Sequence, residues 1–434
     1  MKAFPGKILM LAESPFPQDS RVRNEAITLT RMGYKVYVIA TRWENQPFNE
    51  EIDKVTVYRV SQIDLFKKNP GRVHPLVRSI YYLNSAIGYI FEYFYFSTCC
   101  LLLSFYVELR HGFQVLHTHN PPNMLFIVGL VFKLFGKKYV FDHHDLSPEL
   151  FLSRYNKVGG LIYNILLQEE KICLRLADRV IATNESYKMI EMERGHIKSD
   201  KIFVVRNGPD LQNLLILPAD EDLKSMGKKI LVYLGIMGPQ DGVDYLLKSL
   251  SCLVNQYHRT DFYTIIIGTG DVLEDLKIMS SELGLEKFVR FTGFIPKIDL
   301  MRYLSSADIC LDPNPSSPLN DHSTWIKVME YMAYGKPTVS FDLKETRYTA
   351  QEAAVYVAPN KIEDYAQAIM QLMDDPDKRS RMGAFGQKRI REQLAWQHVS
   401  KNLLLLYQSL FTNHQFPPAH PHQHLKSKIP FWSF

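Results

Sequence analysis

The run from Ser323 to Pro337 concentrates the residues most able to do chemistry. Ser323 and Thr324 precede a helical stretch that closes at Gly335, so a hydroxyl N-cap and a glycine at C′ would bound a short helix. The start of such a helix presents free N–H groups and the positive end of a dipole, which suits a diphosphate. Ser323, Lys327 and Glu330 recur at helical spacing and share a face. Lys327 can neutralise phosphate charge, and Glu330 can accept hydrogen bonds from ribose hydroxyls. The same spacing also describes an ordinary capped helix with a solvated Lys and Glu. A second signal is Gly235, Gly238 and Gly242, set between a strand and a helix, with Gly268 and Gly270 in a similar turn further on. Glycines there let backbone approach a phosphate, although many strand–helix turns need glycine for conformational reasons alone. Asp241, read as the N-cap of the following helix, would repel a phosphate and is expected to point away.

In the first half, His117 and His119-Asn120 end one strand-like run, and Asp142-His143-His144-Asp145 ends another. A histidine at a strand end can hydrogen-bond a sugar hydroxyl or the scissile oxygen. The spacing brings no clear third and fourth metal ligand, so no metal site is expected. Arg21 and Arg23 open a helix after the first strand and can bond phosphate or carboxylate; they also read as ordinary surface arginines.

Positioning these residues requires two sets of parallel strands. Strand-like runs occupy Lys7–Ala12, Val36–Thr41, Val55–Val60, Val115–His119, Tyr139–His143 and Arg179–Thr183. A second set covers Lys229–Gly235, Phe262–Gly268, Val289–Phe294, Ile309–Asp312, Thr338–Asp342 and Ala354–Val357. Amphipathic stretches such as Glu25–Met32, Gly242–Tyr257 and Ile362–Met373 lie between them. Nearly continuous apolar strands alternating with helices predict parallel sheets covered on both faces. The pattern occurs twice, so two doubly wound α/β domains are expected, divided near Asn207-Gly208-Pro209. Ligands bind beyond the carboxyl ends of such strands, which places the site in the cleft between domains.

The 434 residues suffice for two domains. A net charge of +5 excludes a dedicated nucleic-acid binder and suits an anionic ligand or membrane surface. Five cysteines with no C-x-x-C predict neither disulfides nor zinc and fit a reducing cytoplasm. The N-terminus reads as a buried strand rather than a signal peptide. Leu76–Val107 is rich in Tyr, Phe and Leu, but Glu92 interrupts it and its longest uncharged stretch falls short of a membrane span. It reads as a buried helix pair or as an interfacial helix, with Lys67, Lys68, Arg72 and Arg78 favouring anionic headgroups. The tail 412–434, with His414, His420, His422 and His424, is expected to be disordered.

Over residues 7–410 the chain resembles the GT4-type retaining glycosyltransferases of GT-B fold, most closely in Phe16–Gly33, His117–Leu150 and Leu319–Asp342. The resemblance implies two facing Rossmann-like domains. Residues 1–206 would bind the acceptor, completed by a returning helix at about 395–411, and residues 207–394 would bind the donor. Glu330 matches the second glutamate of the family's Glu-x₇-Glu motif, which binds the donor ribose; the first falls on His322, beside Asp321. The glycine loop carries Ile236 and Asp241 where relatives often have Arg and Lys, which leaves Lys327, Arg21 or Arg206 to meet the phosphates. His144 matches the histidine that contacts the transferring sugar, and His119 and Asn120 match an acceptor-side segment. The implied catalytic group is His144, Asp145, Lys327 and Glu330. The implied donor side adds Gly235, Gly238, Gly242, Gly268, Gly270, Phe294, Asp321, His322, Ser323 and Thr324, with Arg21, Arg23, His119 and Asn120 towards the acceptor. Retention, a UDP- or GDP-type sugar donor, a glycan or lipid-linked acceptor and neither metal nor cofactor are implied as well. The competing readings are a non-catalytic sugar-binding relative, and an epimerase or hydrolase on the same scaffold.

Overall fold

The computed structural model describes residues 6–43, 45–63, 75–155 and 160–411, with the side chains of 75–87, 155 and 213 left out of the description. The histidine-rich tail and the basic residues Lys67, Lys68 and Arg72 lie outside the described residues, as does the side chain of Arg78. Strands β1 (Lys7–Pro15), β2 (Lys35–Thr41), β3 (Asn49–Ile52), β4 (Val55–Val60), β5 (Val115–His119), β6 (Lys138–His143), β7 (Arg179–Ala182) and β8 (Ile202–Val204) form one sheet in the order β3-β4-β2-β1-β5-β6-β7-β8. Strands β9 (Lys229–Leu234), β10 (Phe262–Ile267), β11 (Val289–Gly293), β12 (Ile309–Asp312), β13 (Thr338–Phe341) and β14 (Ala354–Val357) form a second, in the order β11-β10-β9-β12-β13-β14. Every pairing is parallel except β3 with β4.

Strand chemistry explains both sheets. Alternate residues of β1 point to opposite faces: Leu9 and Leu11 enter one core, and Ile8, Met10 and Ala12 the other. In β9, Leu231 and Tyr233 face one core, and Ile230 and Val232 the other. Apolar residues on both faces are what a sheet covered on both sides demands. The chain crosses between the sheets near residues 205–210 and again near 394–396, and the crossings touch. The Trp396 N–H donates to the Pro209 carbonyl at 3.0 Å. Gly208 lies so close that a Cβ would stand 2.1 Å from the Leu394 carbonyl oxygen. Helix Trp396–Phe411 then packs on the first sheet, where Trp396 Nε1 donates to Thr28 Oγ1 at 2.8 Å and Tyr407 OH meets His117 Nδ1 at 2.9 Å.

The segment read as a helix pair is one helix, Pro75–Arg110, of 36 residues. One face gives Phe96, Cys100 and Val107 to the core. The opposite face is not buried: Phe94 is 57%, Leu102 65% and Leu109 88% exposed. Glu92, expected to interrupt the segment, does not break the helix. Glu108 sits near the end, bonded to Lys137 Nζ at 2.5 Å and to the Phe113 N–H at 3.0 Å, and Glu92 turns towards a polar cavity.

Candidate functional site

The cleft between the sheets encloses about 670 Å³. Its first wall is the helix Ser20–Arg31, whose N-cap Asp19 accepts from the N–H groups of Arg21 and Val22. Its second wall is the helix Ile326–Ala333 with Phe294 and Lys297 beside it. Of the residues expected from sequence, Arg21, Arg23, Phe294 and Glu330 line this one cavity. Burial lifts the Glu330 carboxyl to about 7, although Lys297 pulls it down. No hydrogen bond or ion pair from this carboxylate occurs among the described residues, so its acceptors face the cavity. Trp43 reaches across from the first domain, its ring centroid 6.4 Å from that of Phe294. Neither Lys297 nor Trp43 was expected; Trp43 sits on a loop and Lys297 opens the helix Lys297–Ser306, and neither falls in a motif.

The hydroxyl pair does not cap the helix. Trp325 is the N-cap residue and makes no side-chain bond there. Ser323 Oγ instead donates to the Leu319 carbonyl at 2.8 Å, and Thr324 Oγ1 accepts from Asn184 Nδ2 of the first domain at 2.9 Å. The helix therefore begins later, with its first N–H groups lacking intrahelical partners. Gly335, at φ 68°, ends it as expected. His322 Nδ1 lies 2.9 Å from the Pro318 carbonyl, and Asp321 accepts from Ser316 Oγ at 3.1 Å, so both side chains brace their own turn. The glycines of the two loops have a packing reason: at Gly268, φ 129°, a Cβ would stand 2.0 Å from the Gly235 carbonyl oxygen, and at Gly270 2.4 Å from that of Met237. At Gly242, φ 70°, the clash would be with Pro313. The helix after the loop starts at Val243 with Gly242 as its cap. Asp241 does not cap it but turns back to accept from the Gly238 N–H at 2.9 Å.

None of the three cations offered for the phosphates is uncompensated. Lys327 is buried against Asn314 and Asp312, 3.3 Å from the latter, with its ammonium 4.8 Å from the Tyr233 ring centre. Arg206 pairs with Glu345 at 3.1 Å across the domain junction and stacks on Tyr348. Arg21 lies under the cleft floor. It donates to Asp142 through Nη2 (2.7 Å) and Nε (3.1 Å), to the Val205 carbonyl (2.9 Å) and to Asn207 Oδ1 (2.6 Å). Arg23 and Lys297 make no ion pair among the described residues, so they are the cations that the cleft leaves open.

At the carboxyl edge of the first sheet, Asp142 gathers Arg21, His117, His119 and His144, with His144 Nε2 3.0 Å from its Oδ2. Burial opposes the Asp142 charge, but Arg21 and His144 outweigh it and hold the carboxyl well below its usual range. Burial and the neighbouring Asp142 push Glu25 well above its own, and burial drives His119 down to about 3. The cluster thus centres on an ionised Arg21–Asp142 pair, with burial keeping Glu25, His117 and His119 neutral beside it. Glu25, His117, His119 and Asp142 place ligand atoms within 4.8 Å of one another, a set that their spacing in sequence does not reveal. By count they fit a cation, but the two hydrogen bonds from Arg21 to Asp142 put a guanidinium in that role. His119 and Asn120 prove to be supports rather than open cleft groups. Asn120 Oδ1 accepts from the His144 N–H at 2.6 Å, and its Nδ2 donates to the Asp145 carbonyl at 2.8 Å, which fixes the His144–Asp145 turn. Burial raises the Asp145 carboxyl, with His144 acting against it.

Residues 219–389 match the family described as Glycosyl transferases group 1, and residues 19–213 match Glycosyltransferase Family 4. The chain belongs to the GT4-type glycosyltransferases of GT-B fold. It is 23% identical over 399 residues to an uncharacterized glycosyltransferase of Methanocaldococcus jannaschii, covering 87% of this chain and 90% of that one. In structure it is similar to sucrose-phosphate synthase from Thermosynechococcus elongatus, with a TM-score of 0.69, 18% identity and coverage of 94% and 99%. It is also similar to Anabaena HepE in complex with UDP-glucose, with a TM-score of 0.67, 16% identity and coverage of 93% and 99%.

This glycosyltransferase supports its histidine turn from beneath with a second buried network. His143 lies between Glu191 (Nδ1, 3.1 Å) and Glu170 (Nε2, 3.4 Å), and Arg194 ties Glu170 to Glu149. Burial alone would lower His143; the two glutamates outweigh it and raise it to about 10. A folded value above the unfolded value of about 6.5 means that this stability is complete below pH ~6.5 and is lost as pH rises towards 10. His143→Gln is therefore expected to cost about 3–5 kcal/mol at pH 6 and clearly less at pH 9.5, by urea denaturation at both values. An equal loss at the two values would show that His143 carries no charge here.

Proposed function

We propose that this glycosyltransferase is a retaining, metal-independent enzyme that moves a sugar from a UDP- or GDP-type donor onto a glycan or lipid-linked acceptor. The observation that carries this reading is the Glu330 carboxylate, which has no protein partner among the described residues and faces the interdomain cavity beside Phe294 and Lys297. A carboxylate so placed can hold both ribose hydroxyls, while the free N–H groups at the start of the Ile326–Ala333 helix, with Lys297 and Arg23, meet the diphosphate. Charge that develops on the leaving phosphate is then stabilised by groups already in position, the role that a metal takes elsewhere. The acceptor hydroxyl attacks from the face that the phosphate leaves. Its proton passes to the departing phosphate oxygen, so no nucleophilic side chain is needed. His144, held by Asn120 and Asp142, bonds the transferring sugar, with Asp145 beside it. The relative solved with UDP-glucose supports a nucleotide-sugar donor.

Incubation with radiolabelled UDP- and GDP-sugars and a lipid-linked acceptor tests the reading, with the product anomer read by NMR. An inverted anomer would remove retention. Activity lost on chelation and restored by a divalent ion would remove metal independence.

The exposed face of Pro75–Arg110 supports peripheral contact with an anionic membrane at the cytoplasmic surface. Phe94, Leu102 and Leu109 project from it, the neighbouring Leu134 is 82% exposed, and Arg110 and Lys138 lie at the same end. The Glu108–Lys137 ion pair and the contact of Phe105 with Phe135 hold the long helix against the end of the helix Phe126–Leu134, which makes this a joint apolar surface rimmed by cations. The double variant Phe94→Asp/Leu102→Asp is expected to cut co-sedimentation with phosphatidylglycerol liposomes at least about ten-fold. Unaltered sedimentation would remove the membrane contact.

A further inference from the structure

Two cavities in the first domain share a wall. One, of about 330 Å³, is polar and lies at the carboxyl ends of β1 and β2, edged by Glu13, Thr41, Arg42, Gln62 and Glu92. The other, of about 110 Å³, is mostly apolar, lined by Pro122, Phe151, Ile162 and Leu166, with Arg154 and Glu169 at its edge. Tyr89 and Tyr93 line both. Phe151, Tyr89, Ile162 and Leu166 form a small apolar cluster apart from the main cores. Burial lifts the Glu169 carboxyl to about 7, as dry surroundings would.

The position of the pair matters more than its size. The apolar chamber is walled by the helix Ser147–Tyr155, which follows directly on His144 and Asp145, and by Pro121-Pro122, which follow directly on Asn120. At its other side is Ile90, half exposed, where the apolar stripe of the long helix begins. The polar chamber shares Trp43 with the interdomain cleft, and the apolar chamber and the exposed stripe follow beyond Tyr89 and Tyr93. A molecule matching that order has a hydroxylated head and a hydrocarbon chain. A wholly polar glycan would leave the second chamber unused.

Taking the glycosyl-transfer reading as given, we propose that the acceptor is an amphiphile: its sugar head occupies the polar chamber, and the first part of its hydrocarbon chain passes between Tyr89 and Tyr93 into the chamber floored by Phe151 and Leu166. The two tyrosines fit that junction, since each lines both chambers with an apolar ring, while the Tyr89 hydroxyl is held by Arg154. The apolar chamber is too small for a whole lipid tail, so the rest of the chain continues along the stripe beyond Ile90.

Octyl β-D-glucoside and methyl β-D-glucoside share a head and differ only in the chain, so their binding measured by calorimetry below micelle formation isolates the chain's contribution. The octyl compound is expected to bind at least ten-fold more tightly. Leu166→Trp fills the chamber and removes that difference, and Ile162→Trp does the same should the first variant fail to fold. Phe94→Asp/Leu102→Asp, on the part of the stripe that only a tail longer than octyl reaches, keeps it. Glu330→Ala also keeps it while losing donor affinity, so this inference and the donor reading fail separately. Equal binding of the two glucosides by the unaltered protein overturns the proposal. So does a difference that vanishes in the stripe variant yet survives in Leu166→Trp, which would mark adventitious detergent binding on the exposed helix.

Discussion

Replacing Glu330 by Ala is expected to weaken donor binding by roughly 10- to 150-fold while leaving thermal stability within about 0.5 kcal/mol of the parent. The magnitude follows from hydrogen bonds to a charged group, worth about 1.5–3 kcal/mol when lost. The stability half of the expectation comes from the structure: no protein bond to this carboxylate occurs among the described residues, so its removal orphans no partner among them. A folded carboxyl near 7 is a cost when the site is empty, and burial is its cause. Removing it can even raise stability slightly at neutral pH. Glu330→Gln separates shape from charge, since it keeps one acceptor but cannot take two hydroxyl donors as an anion does. Its affinity should fall between those of the parent and the alanine variant. Calorimetric titration with UDP and GDP reads all three proteins. Unchanged affinity in the alanine variant would dismiss the ribose role, and with it the assignment of the cleft as the donor site.

The parallel strands were legible because each is buried on both faces and so reads as a short apolar run. The twelve expected segments all coincide with strands. The two that escaped notice carry no such signal. β3, Asn49–Ile52, is an antiparallel edge with two glutamates, and β8, Ile202–Val204, is three residues long. The site was legible only in part, because chain periodicity shows which residues share a face but not which distant residues meet. Glu330 could be placed by its motif and helix. The hydroxyls of Ser323 and Thr324 look like a cap in sequence, and only the approach of Asn184 from the other domain shows where Thr324 bonds. Lys327 looks like a free cation until β12 brings Asp312 beneath it. The buried network of His143, Glu170 and Glu191 joins three elements, although polar residues in otherwise apolar strands and helices are a signal worth reading. Asn120 shows the opposite case: its position at a strand end marks the cleft edge, yet its bonds to the backbone of His144 and Asp145 make it a brace.

Arg21 and Arg23 stand two residues apart in one helix turn and should respond to substitution in opposite ways. Arg21→Ala is expected to cost about 3–5 kcal/mol, because it leaves the buried Asp142 carboxylate without its cation. In a domain of this size that is roughly 6–20 °C in Tm. The loss extends beyond one pair. Arg21 also holds the Val205 carbonyl and Asn207 Oδ1, so it pins the crossing between domains to the edge of β6. His144 Nε2, 2.8 Å from Arg21 Nε, loses a neighbour that fixes its ring, and any transfer activity should fall with stability. Asp142→Asn alone should be similarly costly, since it strands the guanidinium. The double variant Arg21→Met/Asp142→Asn should cost less than the sum of its parts, because neither charge is left buried alone. Arg23→Ala, with no ion pair among the described residues and its side chain at the cleft wall, should change Tm by no more than a degree or two but weaken donor binding. Scanning calorimetry of the four variants, with UDP titration of each that folds, decides the matter. Equal Tm values for Arg21→Ala and the parent would mean that Asp142 finds its charge balance without the guanidinium. The Glu25, His117, His119 and Asp142 set would then have to be reconsidered as a seat for some other cation.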